Sequence, residues 1–130
     1  MDTIRTFGIR KIDELIAGFE KALALAQKDQ SEEPVHKLRV SIRRLQQGLR
    51  VFRQFVDKKA SREIRAKLHD VMQLAGSLRE RDIGMQLLTK ASLPHDGIAE
   101  ERILHGQQLS KAVTKLKTAK WRERLGVTVQ

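Results

Sequence analysis

The chain of 130 residues contains no cysteine, no tyrosine and no asparagine, and its aromatic side chains are four phenylalanines and one tryptophan. Without cysteine there is no disulfide, no thiolate nucleophile and no zinc-thiolate site, a composition suited to a reducing cytosol. So few rings leave little with which to stack on bases. No run approaches the roughly 18 apolar residues of a membrane span, and the opening MDTIRTFGIRK is broken by charge where a secretory signal would be apolar. A soluble, cytoplasmic protein is expected. No glycine-rich phosphate loop, nucleophile with its base, or carboxylate pair emerges, so neither catalysis nor a cofactor is expected. His36, His69, His95 and His105 share no metal-ligand spacing, and adjacent residues such as His69-Asp70 or His95-Asp96 project about 100° apart on a helix. No metal site is expected either.

Positive charge is abundant, and it is concentrated. Lysine and arginine number 26 against 16 acids, a formal net charge of +10. Between His36 and Lys67 stand eleven basic residues against Asp57 and Glu63, so this stretch carries 11 − 2 = +9, and the remainder carries 15 − 14 = +1. A concentrated positive field calls for a polyanionic partner.

Helical periodicity orders that charge. At about 100° per residue, Leu38, Ile42, Leu45, Leu49, Phe52 and Val56 share one face, while His36, Arg39, Arg43, Gln47 and Arg50 lie opposite. Neighbours three and four apart on a helix are about 5–6 Å from each other, so the arginines form a row along the axis. Ser31 as N-cap, Pro34 in the first turn and Glu32 and Glu33 beside it place the start of this helix at 32–34. A first helix over about 8–29 is expected from Ile9, Ile12, Leu15, Ile16, Phe19, Leu23 and Ala26. After an Asp57-Lys58-Lys59 turn the pattern repeats, with Ile64, Leu68, Val71, Ala75 and Leu78 inward and Arg62, Arg65, His69 and Gly76 outward. Gly76-Ser77 is a candidate kink or interruption, and LPHDG ends the segment. A fourth helix over about 97–123 would pack through Ile98, Leu109, Ala112, Val113 and Leu116, with six basic residues against Glu123 in its tail. Met72, Met85 and Trp121 read as packing residues, and the terminal VTVQ is too short for a strand. The expected fold is all-α, a single-domain antiparallel four-helix bundle, in which the basic stripes of helices two and three merge and the fourth helix adds a border.

The residues His36-x-Leu38-Arg39-Val40-x-x-Arg43-Arg44-Leu45, then Leu49 and Phe52, then Arg81-Asp82, resemble the first half of the conserved histidine α-helical domain, the CHAD domain, over about residues 8–125. The resemblance implies helical bundles with basic faces that bind inorganic polyphosphate. Gln46 stands where an arginine commonly follows, and the family usually carries a second, degenerate bundle, whereas 130 residues hold only one. A homodimer would restore the missing half by two-fold symmetry.

The expectation is therefore non-catalytic binding of polyphosphate in the cytoplasm, in association with polyphosphate granules. The candidate ligands are His36, Arg39, Arg43, Arg44, Arg50, Lys58, Arg62, Arg65, His69, Arg81, Lys111 and Lys115. Asp82 would cap a turn or hold an arginine towards the anion. Arginine dominates the stripe, which favours bidentate oxyanion contacts over diffuse charge. Sequence-independent nucleic-acid binding is the alternative, since an arginine row attracts any phosphate backbone, and a helical assembly module is a third reading.

Overall fold

Thr3 opens the first helix, its hydroxyl accepting the Thr6 backbone N–H at 3.1 Å. From there a computed structural model, which describes residues 3–128, runs through α1 (Ile4–Lys28), α2 (Glu32–Val51), α3 (Lys58–Lys90), α4 (Asp96–Lys115) and a short α5 (Trp121–Leu125). A single 3-10 turn, Arg53–Phe55, joins α2 to α3. α1 packs on α2, α2 on α3, α3 on α4 and α4 back on α1, so four antiparallel helices close into an all-α bundle with α2 and α4 on its diagonal.

The apolar stripes meet inside. Ile12, Ile16, Phe19, Leu38, Ile42, Leu45, Ile64, Leu68 and Leu78 are fully buried, joined by Leu109 and Val113 from α4. Gly48 gives the Leu15 side chain of α1 room to lie against α2: a Cβ there would overlap Leu15 Cδ1.

Several boundaries differ from the sequence-based expectation. α1 begins four residues earlier, at the Thr3 cap. Ser31 holds the N-cap position of α2 but makes no side-chain cap bond; its own N–H donates to Asp29 Oδ1 at 2.9 Å. That bond, made to the charged form, lowers the Asp29 pKa. Asp57 caps α3 by accepting the Ala60 N–H at 2.9 Å, which places Lys58 and Lys59 in the first helical turn instead of a loop. α3 runs unbroken through Gly76-Ser77 for 33 residues. The helical cost of one glycine, about 1 kcal/mol, is outweighed by the packing of Leu68, Val71, Ala75 and Leu78 on either side.

The expected fourth helix splits. Helix α4 ends at Lys115, Leu116 turns extended, and α5 folds back against the open end of the bundle. Trp121 is buried and stacks on Phe19, ring centroids 5.6 Å apart. Arg122 bridges Asp13 and Glu20 of α1 at 2.6 and 2.9 Å, and the bond to Glu20, followed by that to Asp13, raises its pKa. Gly126 takes the left-handed conformation, φ 77°, that lets the Val127 N–H reach Arg122 O. Val127 is buried, while Val129 and Gln130 of the terminal VTVQ lie outside the described residues. Arg124 pairs with Glu63. Part of the basic tail is thus spent inside the fold.

Candidate functional site

The outward arc of α2 presents its arginines as periodicity requires, but its two edges face different neighbours. Arg43 and Arg50 are exposed. Arg39 is half-buried at the α3 edge, with Nε enclosed and without a hydrogen-bond partner. Burial, and after it the charges of Arg43 and Arg79, push its pKa below the ordinary arginine value. Arg79 comes from α3, so the first residues assembled across the α2/α3 boundary are three guanidinium groups. Among the described residues the carboxylate nearest in role is Glu32, which accepts from Arg79 Nη1 at 2.8 Å and from Gln86 Nε2 at 3.4 Å.

Helix α3 supplies the rest of this face. Lys58, Arg62, Arg65 and His69 are exposed. Arg65 Nε donates to Ser61 O at 3.4 Å, and the His69 ring shares a 3.1 Å hydrogen bond with Gln73. Further along, a Cβ added to Gly76 would meet nothing within 4 Å. Arg39, Arg43, Arg50 and Arg65 take part in none of the ion pairs among the described residues. A row of unneutralised forked donors is suited to oxyanions.

Other candidates stand elsewhere. His36 and Arg44 lie on the opposite edge of α2, where they line a groove against α1. Arg81 turns towards α4: Nη1 donates to Ser77 O and Oγ at 3.2 and 3.1 Å, and Nε lies 3.4 Å from Glu101. Asp82 does not hold Arg81 in place. It pairs with Arg102 of α4 at 2.8 Å, both side chains about 15% exposed, and Arg102 also donates to Gln30 O in the α1–α2 connector. Arg81 and Asp82 therefore tie α3 to α4. Lys111 and Lys115 are exposed on α4, diagonal to α2, and do not border the α2/α3 face.

Arg79 is the residue that sequence reasoning passed over, and its phase would have found it. It follows Arg65 by 14 residues, returning within about 40° of the same side of the helix, whereas Arg81, at 16, is rotated by about 160°.

A family model for the CHAD domain matches residues 10–127 of the 130. The chain belongs to the CHAD family. The CHAD domain is associated with polyphosphate binding, and is generally a binding domain, not a catalytic one. No similar protein was found among curated proteins or among solved structures. Among the described residues, no three of His, Asp and Glu are grouped to hold a metal ion, and no helix of this CHAD chain is long and apolar enough to cross a membrane.

Proposed function

We propose that this CHAD chain binds inorganic polyphosphate, without transforming it, along the face shared by α2 and α3. Arg39 and Arg43 form the centre, Arg50 and Arg65 extend it towards the α2–α3 turn, and Arg79 extends it towards the α1–α2 connector. Lys58, Arg62 and His69 flank it on α3, and His36 and Arg44 reach it from the far edge of α2. The observation that carries this reading is Arg39, a half-buried guanidinium whose Nε has no acceptor and whose charged neighbours are Arg43 and Arg79. The fold carries the cost of that like-charge cluster, and an anion laid against it removes the cost. Every group at the centre donates hydrogen bonds and none supplies a general base, which suits holding phosphate.

Phosphate is all that polyphosphate offers, and the centre of this face offers guanidinium groups without stacking rings. The test is displacement of labelled long-chain polyphosphate by unlabelled polyphosphate or by duplex DNA at matched phosphate concentration. Polyphosphate should displace at far lower concentration; equal displacement by DNA would favour non-specific nucleic-acid binding.

A homodimer forms part of the proposal. Ile83 and Leu87 of α3, with Ile103 and Leu104 of α4, are 40–62% exposed and offer apolar side chains for the pairing. Light scattering at low and high salt, with and without polyphosphate, should report a dimer; a monomer under all conditions would make the single bundle the working unit. Residence in the cytoplasm on polyphosphate granules follows from the same binding, and a fluorescent fusion that stays diffuse beside stained granules would refute it.

A further inference from the structure

The other edge of α2 has a different chemistry. Between α1 and α2 runs a groove of about 620 Å³ with Leu15, Ala22, Leu25 and Val40 in its floor. Lys11 and Lys21 stand along its α1 rim, and Lys37 and Arg44 along its α2 rim. Leu25 is 42% exposed there. Polyphosphate has no apolar surface to set against such a floor, so the groove calls for an amphiphile that is apolar on one side and anionic on its flanks.

Length and charge define that amphiphile further. On α1 the lining runs from Lys11 to Leu25, 14 steps of about 1.5 Å, or roughly 21 Å, which is about four turns of helix. Lys11 and Lys37 meet Glu14 and Glu33 only at 3.8 and 4.0 Å, in well-exposed pairs of the kind that contribute little. Lys21 and Arg44 have no ion-pair partner among the described residues. Glu14 and Glu33 also line the groove, one on each rim, so its four cations outnumber its carboxylates and Lys21 and Arg44 are left to receive a partner's carboxylates.

Gly18 is an independent sign. It lies in the middle of α1 and lines the groove, and a Cβ added there would meet nothing within 4 Å. Gly48 sits against Leu15, but Gly18 answers no packing demand and weakens the helix relative to alanine. Its effect is to keep the groove floor open.

We infer that the α1/α2 groove is a docking site for an acidic amphipathic helix of a partner protein, apolar face down and carboxylates against the two basic rims. This is helix-in-groove recognition with anchors at i, i+3/i+4 and i+7 spacing. It does not rest on polyphosphate binding, whose centre, Arg39 and Arg43, lies outside the groove lining; the two sites share only His36 and Arg44.

The experiment uses the full chain and a fluorescent model peptide of about four turns, with leucines at that spacing and glutamates flanking them. A permuted peptide of identical composition that lacks the apolar face is the control. The amphipathic peptide should bind at least tenfold more tightly than the permuted one. Gly18→Met, whose Cβ meets nothing within 4 Å and which removes a helix-interior glycine, should weaken it at least tenfold while the melting temperature holds or rises. Arg39→Glu with Arg43→Glu should leave the amphipathic preference in place. Equal binding of the two peptides would reduce the effect to net charge and overturn the inference, as would a Gly18→Met variant that binds unchanged. A wild-type dimer that Gly18→Met converts to monomer would give the groove to a second copy of this chain and overturn it as well. If Gly18→Met abolishes polyphosphate binding, the two faces are one site and the inference also fails.

Discussion

Binding to the α2/α3 face should depend on salt to a degree set by the number of guanidinium groups that neutralise phosphate. The four that form its centre and extend it towards the α2–α3 turn, Arg39, Arg43, Arg50 and Arg65, have no carboxylate partner among the described residues and set the minimum slope, whereas Arg79 is already engaged by Glu32. With about 0.7 counterions released per neutralised phosphate on a flexible single-stranded polyanion, log K should fall with log salt at a slope near −3. Raising salt from about 50 to about 200 mM then weakens binding roughly 50-fold. Replacing Arg39 and Arg43 by glutamine removes two of the four groups, so the slope should halve and the same salt step should cost only about sevenfold. The fold should not suffer, because Arg39 Nε has no partner to lose and the substitution relieves like-charge repulsion with Arg43 and Arg79. Polarisation titrations of labelled polyphosphate at three salt concentrations measure both slopes, and thermal denaturation checks the fold. An unchanged slope in the double variant would refute the assignment of these two arginines, and a wild-type affinity independent of salt would refute a phosphate-only interface altogether.

Glu32→Gln should tighten polyphosphate severalfold in the same titration, since the carboxylate that occupies Arg79 at 2.8 Å is gone; the exposed pair itself contributes at most about 1 kcal/mol to stability. Arg102→Met should cost about 3 kcal/mol, read as a fall of about 10 °C in melting temperature, because it strands the mostly buried Asp82 carboxylate. Adding Asp82→Leu to that variant should restore part of the loss. Trp121→Ala should cost about 3–5 kcal/mol by unstacking Phe19 and opening the end of the core. Glu63, bonded to Arg124, and Asp29, bonded to the Ser31 N–H, both have lowered pKa values. Their stabilisation is present above the ordinary carboxylate range and is lost as pH falls through the lowered folded values. Melting temperature should therefore drop on acidification through that range, and less steeply in Glu63→Gln.

The stripe on α2 was legible from sequence because Leu38, Ile42, Leu45 and Leu49 keep helical period without interruption, and a strict apolar face fixes where the opposite side points. The second half of α3 was harder. There Arg79, Arg81 and Asp82 stand within four positions, and local sequence cannot say which neighbouring helix each side of α3 will meet. Arg79 turned to α2 and became a neighbour of Arg39, while Asp82 found Arg102 twenty residues away in sequence. The end of α4 was misjudged for a similar reason. Lys115 to Lys120 read as helix by composition, yet the burial available to Trp121 against Phe19, together with the bonds of Arg122 to Asp13 and Glu20, favours a chain that turns back. Tertiary partners decided each case, over distances no periodicity reports.

The same limit explains why one basic helix was read as one site. Net charge counts Arg39, Arg43, Arg44 and Arg50 together, but a polyanion is held by charge and donors alone, whereas an amphiphile also needs a surface that water leaves readily. Helix packing supplies that difference. Against α3, α2 sets Arg39 beside Arg43 and Arg79, charge next to charge, with Glu32 engaging Arg79 alone. Against α1, it sets Val40 beside Leu15, Ala22 and Leu25, with Lys37 and Arg44 at the margin. About 25 cal/mol per Å² of apolar surface is gained at the second edge and almost none at the first. High salt should therefore abolish polyphosphate binding while sparing part of the affinity for an amphipathic helix, and equal loss of both would mean that charge alone governs the two edges.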